Sequence, residues 1–528
     1  MRYRPMILLS LCLAAFTISV DVTIVNVALP TLVRQLGATT TDLQWVVDAY
    51  SLAFAALVLA AGSLSDRLGR KGVLLIGLLL FAAASLAGAY AATSAELIAA
   101  RAAMGVGAAL MFPATLSLLV NVFTERRERA RAIGLWGATT GVGIAAGPIV
   151  GGWLLERFWW GSIFCFLAGV AAVIAVLVAW SVPTSRDPAT PRLDVRGLAL
   201  STAGMAILIL GVIEAPDWGW TSPAALATIS GGVALLLVFL AVERGSDHPL
   251  LDVALFRNPR FTAASVAVAI SFFALQGFIF LITQYFQFIK DFSPLSTGVR
   301  LLPVAGCVAV ASVLGTRLAV RVGNKVIVAA GLVLFAAGLA WTSTAAQGTS
   351  YGIIVAEMVL LGTGMGLTSA PATEAIMGAV PRDKAGVGSA VNDATRLFGG
   401  TLGVAVIGSV AASLYASRLA ATLPAGLPPA AVSAARGSVG GAVIASHALG
   451  RLGLTAAADD LASVATRAFL HSLSGGCLVA AGVAVAGALV AALLLPARPR
   501  RQDEIAGPGP DGPPAAVAGK EQQRTNAK

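Results

Sequence analysis

Charged residues are scarce in this chain of 528 residues, and their scarcity excludes a soluble globular protein. Asp, Glu, Lys and Arg make up 12% of the residues, hydrophobic residues make up 57%, and the mean hydropathy is +0.84. A soluble domain carries about 25% charged residues, which cover its surface. A bilayer, in contrast, solvates apolar side chains directly. The composition therefore predicts an integral membrane protein.

The residues that build metal sites, nucleophilic sites and nucleotide sites are also rare. The chain has 3 His, scattered along the sequence, and 4 Cys, each of which lies in an apolar run. No Cys or His spacing is typical of a metal site, and no GxxxxGK[ST] loop for ATP phosphates occurs. We therefore expect no enzyme activity, no bound metal and no bound cofactor. The cysteines are interpreted as small packing residues rather than disulfides.

What the sequence does contain is long apolar segments. Fourteen of them approach or exceed the roughly 20 residues that cross a bilayer as a helix. The predicted fold is all-α, with two six-helix bundles and two extra central helices. The predicted domains are residues 1–182 (first bundle), 183–260 (two additional helices with flanking cytoplasmic loops), 261–497 (second bundle) and 498–528 (disordered cytoplasmic tail). Residues 415–466, outside the membrane, form either a loop without a particular role or one with a short amphipathic helix.

The positive charge is distributed unevenly between the two sides of the predicted helices. The net charge is +10, and 26 of the 36 Lys and Arg fall in alternate loops and at the termini. This is the positive-inside pattern, so both termini are expected in the cytoplasm of a cell that carries this multi-pass protein in its plasma membrane. Basic residues are not interleaved with aromatic ones, and we expect no nucleic-acid partner.

An internal repeat relates the two predicted bundles. GSLSDRLGRK at residues 62–71 aligns with TRLAVRVGNK at residues 316–325, an offset of 254. Gly69 aligns with Gly323, whereas Asp66 aligns with Val320. Parallel six-helix repeats around a central cavity are an architecture of transporters.

Two charged residues lie deep inside predicted helices. Asp21 and Arg101 have similar depths in the first and fourth helices. A charge at such depth costs about 2.5–3.5 kcal/mol on insertion scales and usually lines a cavity or relays protons. Asp21 is therefore a candidate proton carrier, and Arg101, which keeps its charge, can favour proton release from a carboxylate. The alternatives are a structural carboxylate and an arginine that binds helix-end carbonyls.

Further polar residues are candidates for lining a substrate cavity. They are Asn26, Gln276, Gln284, Glu357 and Arg396. Glu357 could instead bind a cation or a second proton, and Arg396 could belong to a cytoplasmic gate. Asp48 is interpreted as an acid at a helix N-terminus.

Small residues dominate the segment GVGIAAGPIVGG at residues 141–152. The spacing of Gly143, Gly147 and Gly151 permits a close helix crossing, and Pro148 bends the helix. Such a helix, together with Gly152, could seal one route between the bundles. The alternative is ordinary glycine packing in a membrane bundle.

Four stretches together resemble the major facilitator superfamily, and in particular its fourteen-helix drug:proton antiporters of the EmrB/QacA type. They are DVTIVNVALP (residues 21–30), GSLSDRLGRK (62–71), RAAMGVGAALMFP (101–113) and GVGIAAGPIVGG (141–152). The resemblance implies proton-coupled efflux of hydrophobic drugs or antibiotics by alternating access, with Asp21 and Arg101 in proton coupling. It also implies a monomer, surrounded by lipid, that takes small hydrophobic and in some cases cationic substrates. The alternative is a coupled or facilitated transporter of a specific metabolite on the same fold.

The resemblance also gives the loop at residues 62–71 a role as a cytoplasmic gate. The gate residues are Gly62, Asp66, Arg67, Gly69 and Arg70. Gly62 is expected to let another backbone come close, and Gly69 to allow a sharp turn. By resemblance, Asp66 meets the positive N-terminus of a helix of the other half that begins near Gly388, when the cytoplasmic side is shut. The alternative is that the charges only set the topology.

Overall fold

The computed structural model describes residues 4–185, 194–246, 249–380 and 385–496, and in these ranges the chain forms helices without strands. The first bundle contains α1 (Arg4–Leu36), α2 (Thr40–Leu68), α3 (Arg70–Ala89), α4 (Ser94–Val122), α5 (Arg126–Arg157) and α6 (Ser162–Ser181). Two further helices follow, α7 (Val195–Trp218) and α8 (Pro223–Gly245). The second half contains α9 (Pro259–Gln284), α10 (Pro294–Arg300), α11 (Leu302–Val322), α12 (Asn324–Thr342), α13 (Tyr351–Met377), α14 (Ala385–Thr422), α15 (Pro429–Gly437), α16 (Val439–Arg451) and α17 (Thr455–Leu494).

Fourteen spans in the described part of the chain are long and apolar enough to cross a membrane, as the sequence predicts. The ninth span is α9 continued by a π-helical turn, Tyr285–Ile289, and the tenth consists of α10 and α11. The segment 415–466 contains the end of α14, two short helices, α15 and α16, and the start of α17. The predicted disordered tail, residues 498–528, lies outside the described residues.

Hydrogen bonds at the helix ends explain several of the boundaries. Thr39 Oγ1 accepts a hydrogen bond from Asp42 N at 3.1 Å, and Asp42 Oδ2 accepts one from Thr39 N at 2.8 Å. This reciprocal capping box fixes the start of α2. Thr93 caps α4 in a similar way by accepting from Glu96 N.

The turn glycines reproduce the internal repeat in three dimensions. Gly69 joins α2 to α3 with φ +114°, and Gly323 joins α11 to α12 with φ +98°. Residues with a side chain rarely adopt these values, so glycine is required at both turns. The sharp turn predicted at Gly69 is therefore present, and its repeat partner makes the same turn.

Each bundle has its own helix packing, and the two meet at one face. In the first bundle α1 packs on α5 and α4 packs on α2 and α3, whereas in the second α14 packs on α9 and α13 packs on α11 and α12. We call the face that carries Arg4 and the turns at Gly69 and Gly323 the basic face. The face that carries the turns at Gly37 and Asp291 is the opposite face.

The bundles are closed against each other at the opposite face. There α2 contacts α14 and α5 contacts α10. On the half of α5 that is nearer the basic face, a Cβ added at Gly134, Gly137 or Gly141 would meet no described atom within 4 Å. The structure is therefore shut at the opposite face and open between the bundles toward the basic face.

The extra helix α7 bridges the two bundles at the opposite face. Trp45 Nε1 on α2 donates a hydrogen bond to Glu214 on α7 at 3.0 Å. Trp220, in the turn after α7, donates through Nε1 to Ser413 on α14 at 2.9 Å. The extra pair is thus attached to both halves rather than to one.

Candidate functional site

The centre of the first bundle holds a buried ion pair between α1 and α4. Arg101 Nη1 donates to Asp21 Oδ1 at 2.6 Å, and the side chains are 1% and 0% exposed. Two residues that the sequence singled out separately are therefore bonded partners. Because neither charge reaches water, each depends on the other for compensation.

Helix α2 completes the surroundings of Arg101. The guanidinium donates through Nε to Val46 O at 3.0 Å and lies 4.4 Å from the centre of the Tyr50 ring. The close approach of α2 and α4 depends on Gly105, where an added Cβ would lie 2.9 Å from the Cβ of Ala53. The guanidinium is thus fixed by a carbonyl and an aromatic face, and the carboxylate of Asp21 is the partner that can change its charge.

This arrangement is suited to holding and releasing one proton. When Asp21 is ionised, the ion pair is intact and the buried charges cancel. When Asp21 takes up a proton, Arg101 keeps a charge without a counterion, which favours a rearrangement of α1 relative to α4. A proton on one oxygen atom can therefore change how two helices of the bundle pack.

A second buried carboxylate of this bundle was interpreted differently from the sequence. Asp48 is 0% exposed, and neither carboxylate oxygen has a hydrogen-bond partner among the described residues. It lies one turn after Gln44, eight residues inside α2, so the interpretation as a helix N-terminal acid is wrong. Sequence position alone did not show which side of α2 this residue occupies.

The glycines of α5 pack against α1 at regular intervals. An added Cβ at each would meet a carbonyl oxygen of α1: at Gly143 Phe16 O (2.9 Å), at Gly147 Val20 O (2.8 Å) and at Gly151 Ile24 O (3.0 Å). Thr23 Oγ1 also donates to Ile144 O at 3.1 Å. The spacing thus corresponds to a close crossing within the first bundle.

Another face of α5 meets the second half of the chain. A Cβ at Gly152 would lie 2.7 Å from Pro294 O, and one at Gly298 on α10 would lie 2.6 Å from the carbonyl carbon of Pro148. We call the contacts that join α5 to α10 and α2 to α14 at the opposite face the seam. The contacts of Gly152 and Gly298 belong to this seam. The same twelve-residue segment therefore joins α5 to its own bundle and to the other one.

Helix α14 repeats this design in the second bundle, which sequence reasoning missed. An added Cβ at Gly403 would lie 2.8 Å from Phe273 Cα on α9, and Gly399 packs in the same way on Ala269. Gly408 faces α2 across the seam, where its added Cβ would lie 2.7 Å from Gln44 Nε2. The spacing of Gly399 and Gly403, which equals that of Gly143 and Gly147, was the available signal.

Two glutamines reach across the closed seam. Gln44 Nε2 of α2 donates to Ala405 O of α14 at 3.1 Å and to Ser409 Oγ at 3.1 Å. Gln287 Nε2, in the π turn, donates to Val27 O of α1 at 2.9 Å. Gln44 was not among the sequence candidates, and its signal was an amide at the start of an otherwise apolar helix.

Two of the predicted cavity residues lie together on the second bundle. Arg396 is 4.5 Å from the centre of the Phe272 ring and 3.8 Å from Asp393 Oδ1, and its side chain is 33% exposed. Gln276 packs on Gly400, one turn further along α14. This partly exposed group of one cation, one anion, an amide and an aromatic ring can contact a flat or charged ligand.

The other three predicted cavity residues are almost fully buried in this structure. Asn26, Gln284 and Glu357 are 2%, 3% and 1% exposed. Asn26 donates to Val22 O and Gln284 to Phe280 O, each within its own helix. They are interior residues because they face neighbouring helices, an orientation that helix depth alone does not fix.

The predicted gate loop is arranged differently from the expectation. Asp66 Oδ1 accepts from Arg70 Nε at 2.6 Å, within its own loop rather than from the other half, and Arg67 is exposed. At Gly62 an added Cβ would meet only Pro113 Cβ at 3.7 Å, so no close backbone approach is present. The basic face is open between the bundles in this structure, so the contact expected between Asp66 and the helix that begins near Gly388 stays a prediction for a state closed at that face.

Comparison with known proteins identifies the family. A sequence model of the Major Facilitator Superfamily matches residues 11–404. The chain belongs to this superfamily of transporters, as the motifs and the fourteen spans predicted.

The curated relatives include resistance and efflux proteins. "Multidrug efflux pump LfrA" of Mycolicibacterium smegmatis is 35% identical over 480 residues, 91% of this chain and 94% of that protein. "Multidrug resistance protein Stp" of Mycobacterium tuberculosis is 34% identical over 412 residues, 78% of this chain and 76% of that protein. "Methylenomycin A resistance protein" of Streptomyces coelicolor is 35% identical over 395 residues, 75% and 83% of the two chains.

Among solved structures, a bacterial homologue of the human lysosomal transporter Spinster, in an inward-facing and unoccupied conformation, has the same fold. The TM-score is 0.65 at 16% identity, and the match covers 92% of this chain and 97% of that one. At this identity the likeness supports the fold alone.

Proposed function

We propose that this protein exports small hydrophobic molecules, including cationic ones, across the cell membrane in exchange for protons. The observation that carries the proposal is the buried pair of Asp21 and Arg101, because its carboxylate can gain a proton while its guanidinium cannot lose one. The resistance and efflux relatives, which match this chain at 34–35% identity, support the same class of substrate.

The pair gives a mechanism for exchange. In the state open toward the basic face, Asp21 is ionised and bonded to Arg101, and substrate enters between the bundles. Opening of the opposite face then releases substrate and admits a proton to Asp21. The protonated state separates from Arg101 and returns through closure of the opposite face, after which the proton leaves toward the basic face. Alternation between two states is thus linked to occupancy by a proton or by substrate.

The charge distribution and the relatives together support this direction. The basic face carries most of the Lys and Arg in the loops, so the positive-inside rule supports a cytoplasmic location for it. Because the relatives are efflux and resistance proteins, substrate enters from the cytoplasm or the inner leaflet in this proposal and leaves at the opposite face. The partly exposed group around Arg396 and Gln276 is the proposed contact surface for substrate.

The driving force is sufficient. One charge moving through 100 mV supplies about 2.3 kcal/mol. A tenfold concentration ratio corresponds to about 1.4 kcal/mol. One proton per neutral substrate molecule, or two protons per monovalent cation, can therefore maintain a useful outward gradient.

Drug susceptibility of a bacterial host without its own efflux pumps tests this function. Expression of the wild type should raise the concentrations of tetraphenylphosphonium and of methylenomycin A that inhibit growth, or of one of them, and Asp21→Asn should abolish the increase. The matched control is Asp459→Asn, which removes an exposed aspartate at the start of α17 and should leave resistance intact. Equal resistance with Asp21→Asn and the wild type would contradict the role of the pair.

A further inference from the structure

Glu357 is an acid in the interior of the second bundle that the proposed exchange does not use. It lies on α13, is 1% exposed, and its Oε1 has no hydrogen-bond partner in the described part of the chain. Among the described residues, no Lys or Arg forms an ion pair with it. A carboxylate ionised in such surroundings would lack both water and a countercharge.

The groups around Glu357 come from several elements, and among the described residues none of them is a cation. Thr342 of α12 lies within hydrogen-bonding reach of it, and Tyr285 of the π turn and Cys477 of α17 lie near it. From α11, Cys307 packs beside Gly362, more than one turn along α13.

The Thr342 hydroxyl does not supply a countercharge. It lies 3.0 Å from Gly338 O of its own helix, to which it donates. A neutral hydroxyl cannot replace the water or the cation that an ionised buried carboxylate needs, so these surroundings favour the neutral acid.

The π turn beside Glu357 connects it to the seam. Lys290 N donates to Tyr285 O at 3.1 Å, which closes the turn, and Tyr285 OH donates to Ala346 O at 2.7 Å. The same turn carries Gln287, whose amide reaches Val27 O on α1 of the first bundle. π-helical turns within α-helices occur frequently at functional sites. The π turn that carries Tyr285 near Glu357 is thus also one of the contacts that close the opposite face.

We propose that Glu357 is a second proton-binding site and that it must take up a proton before the opposite face closes. When the π turn withdraws from α1, water reaches the carboxyl, its O–H bond breaks and the proton passes to water; closure reverses this transfer. The proposal rests on the proposed alternating access, but it does not require transport to be driven through Asp21.

Spin-label distance measurements without substrate test this proposal. Spin labels on the cysteines of Gln35→Cys and Gln347→Cys, two exposed positions at the opposite face on different bundles, report closure in lipid nanodiscs. Cys165 and Cys307, which are partly exposed, are replaced by Ala in every variant. In the background protein, which lacks Cys165 and Cys307 but keeps Glu357, the ratio of closed to open molecules should fall as pH rises from mildly acidic to mildly alkaline. For one coupled proton the ratio falls by up to about tenfold per pH unit. The variant Glu357→Gln should stay closed at every pH.

A control variant assigns the response to Glu357. Glu374→Gln removes an exposed acid of the same helix and should respond to pH like the background protein. A response that Glu357→Gln retains undiminished, or that is absent in the background protein, would overturn the proposal. If Glu357→Gln does not fold, Glu357→Asp should shift the midpoint of the response, and an unchanged midpoint would equally overturn it. Because no substrate is present, failure of drug export would leave this result intact.

Discussion

The two bundles share their backbone packing but differ in their buried charges. Gly143 and Gly147 of α5 contact α1 as Gly399 and Gly403 of α14 contact α9. Helix α4, in contrast, carries a cation seven residues after its start, and α13 carries Glu357 six residues after its start. Arg101 on α4 is paired with the carboxylate of Asp21 on α1, whereas Glu357 on α13 has no cation as partner among the described residues.

The difference separates what the fold requires from what transport requires. Close helix crossings need small residues wherever backbones meet, so the same glycine spacing serves in both halves. Charges are costly at this depth, and each half carries a different arrangement of them. Substitutions in the shared packing should therefore affect both halves alike, whereas substitutions of the charges should not.

The largest loss of stability is expected when the buried acid of the first bundle is left without a cation, like the buried acid of the second. Arg101→Met leaves Asp21 buried and unpaired, and loss of one partner of a buried pair costs about 3–5 kcal/mol. Thermal unfolding in detergent should shift to clearly lower temperature. The double variant Asp21→Asn with Arg101→Met should recover most of that loss but transport nothing. Equal stability of the single and double variants would show that the pair does not couple the two residues.

The shared glycine packing predicts a similar loss of stability in both halves, smaller than the loss expected for Arg101→Met. In Gly147→Ala the new Cβ would lie 2.8 Å from Val20 O, and in Gly403→Ala it would lie 2.8 Å from Phe273 Cα. Each substitution should lower the free energy of unfolding by about 1–3 kcal/mol. Gly141→Ala, which meets no neighbour within 4 Å, is the control and should change little. A large difference between the two variants in thermal unfolding would break the comparison.

The glycines at the seam should affect the conformational equilibrium more than folding. In Gly152→Ala the new Cβ meets backbone of α10, which cannot move aside, whereas in Gly408→Ala it meets the side chain of Gln44, which can. Gly152→Ala should therefore open the opposite face, and Gly408→Ala should do so more weakly. The measurement is the rate at which a membrane-impermeant thiol reagent modifies a cysteine placed at buried Val27. The reverse order of rates would contradict this assignment.

The smallest effect on stability is expected at the gate loop. Asp66 and Arg70 form an ion pair whose side chains are 27% and 16% exposed, and such pairs contribute about 0–1 kcal/mol. Asp66→Asn should leave thermal unfolding nearly unchanged. It should still slow transport, because the negative charge expected to meet the helix near Gly388 in the state shut at the basic face is removed. Val320→Asp, at the matching position of the second repeat, provides the comparison. Unchanged transport by Asp66→Asn would show that the loop only sets topology.

The sequence predicted the fold well because membrane helices are defined by length and apolar composition. It also identified Asp21 and Arg101, since charges in apolar runs are conspicuous, and Gly69, since the loop repeats. These signals are local in the sequence and do not depend on the state of the transporter.

The remaining features depend on helix rotation and on conformational state. Whether Glu357 faces a cavity or a neighbouring helix is decided by a rotation that an almost wholly apolar helix does not reveal. The contact expected at Asp66 is not seen among the described residues of this structure, in which the basic face is open, and two states that differ by a few kcal/mol leave no separate trace in one sequence. Gln44 becomes notable only once the seam that it crosses is known.

Proton flux in liposomes tests the central claim most directly. Purified protein is reconstituted with a pH-sensitive dye inside, and tetraphenylphosphonium or methylenomycin A is added to the wild type and to Asp21→Asn. We expect one of these probes to cause proton movement in the opposite direction to its own in the wild type, and none in the variant. Movement of the probe without protons, or an undiminished flux with Asp21→Asn, would contradict proton-coupled export through the Asp21–Arg101 pair.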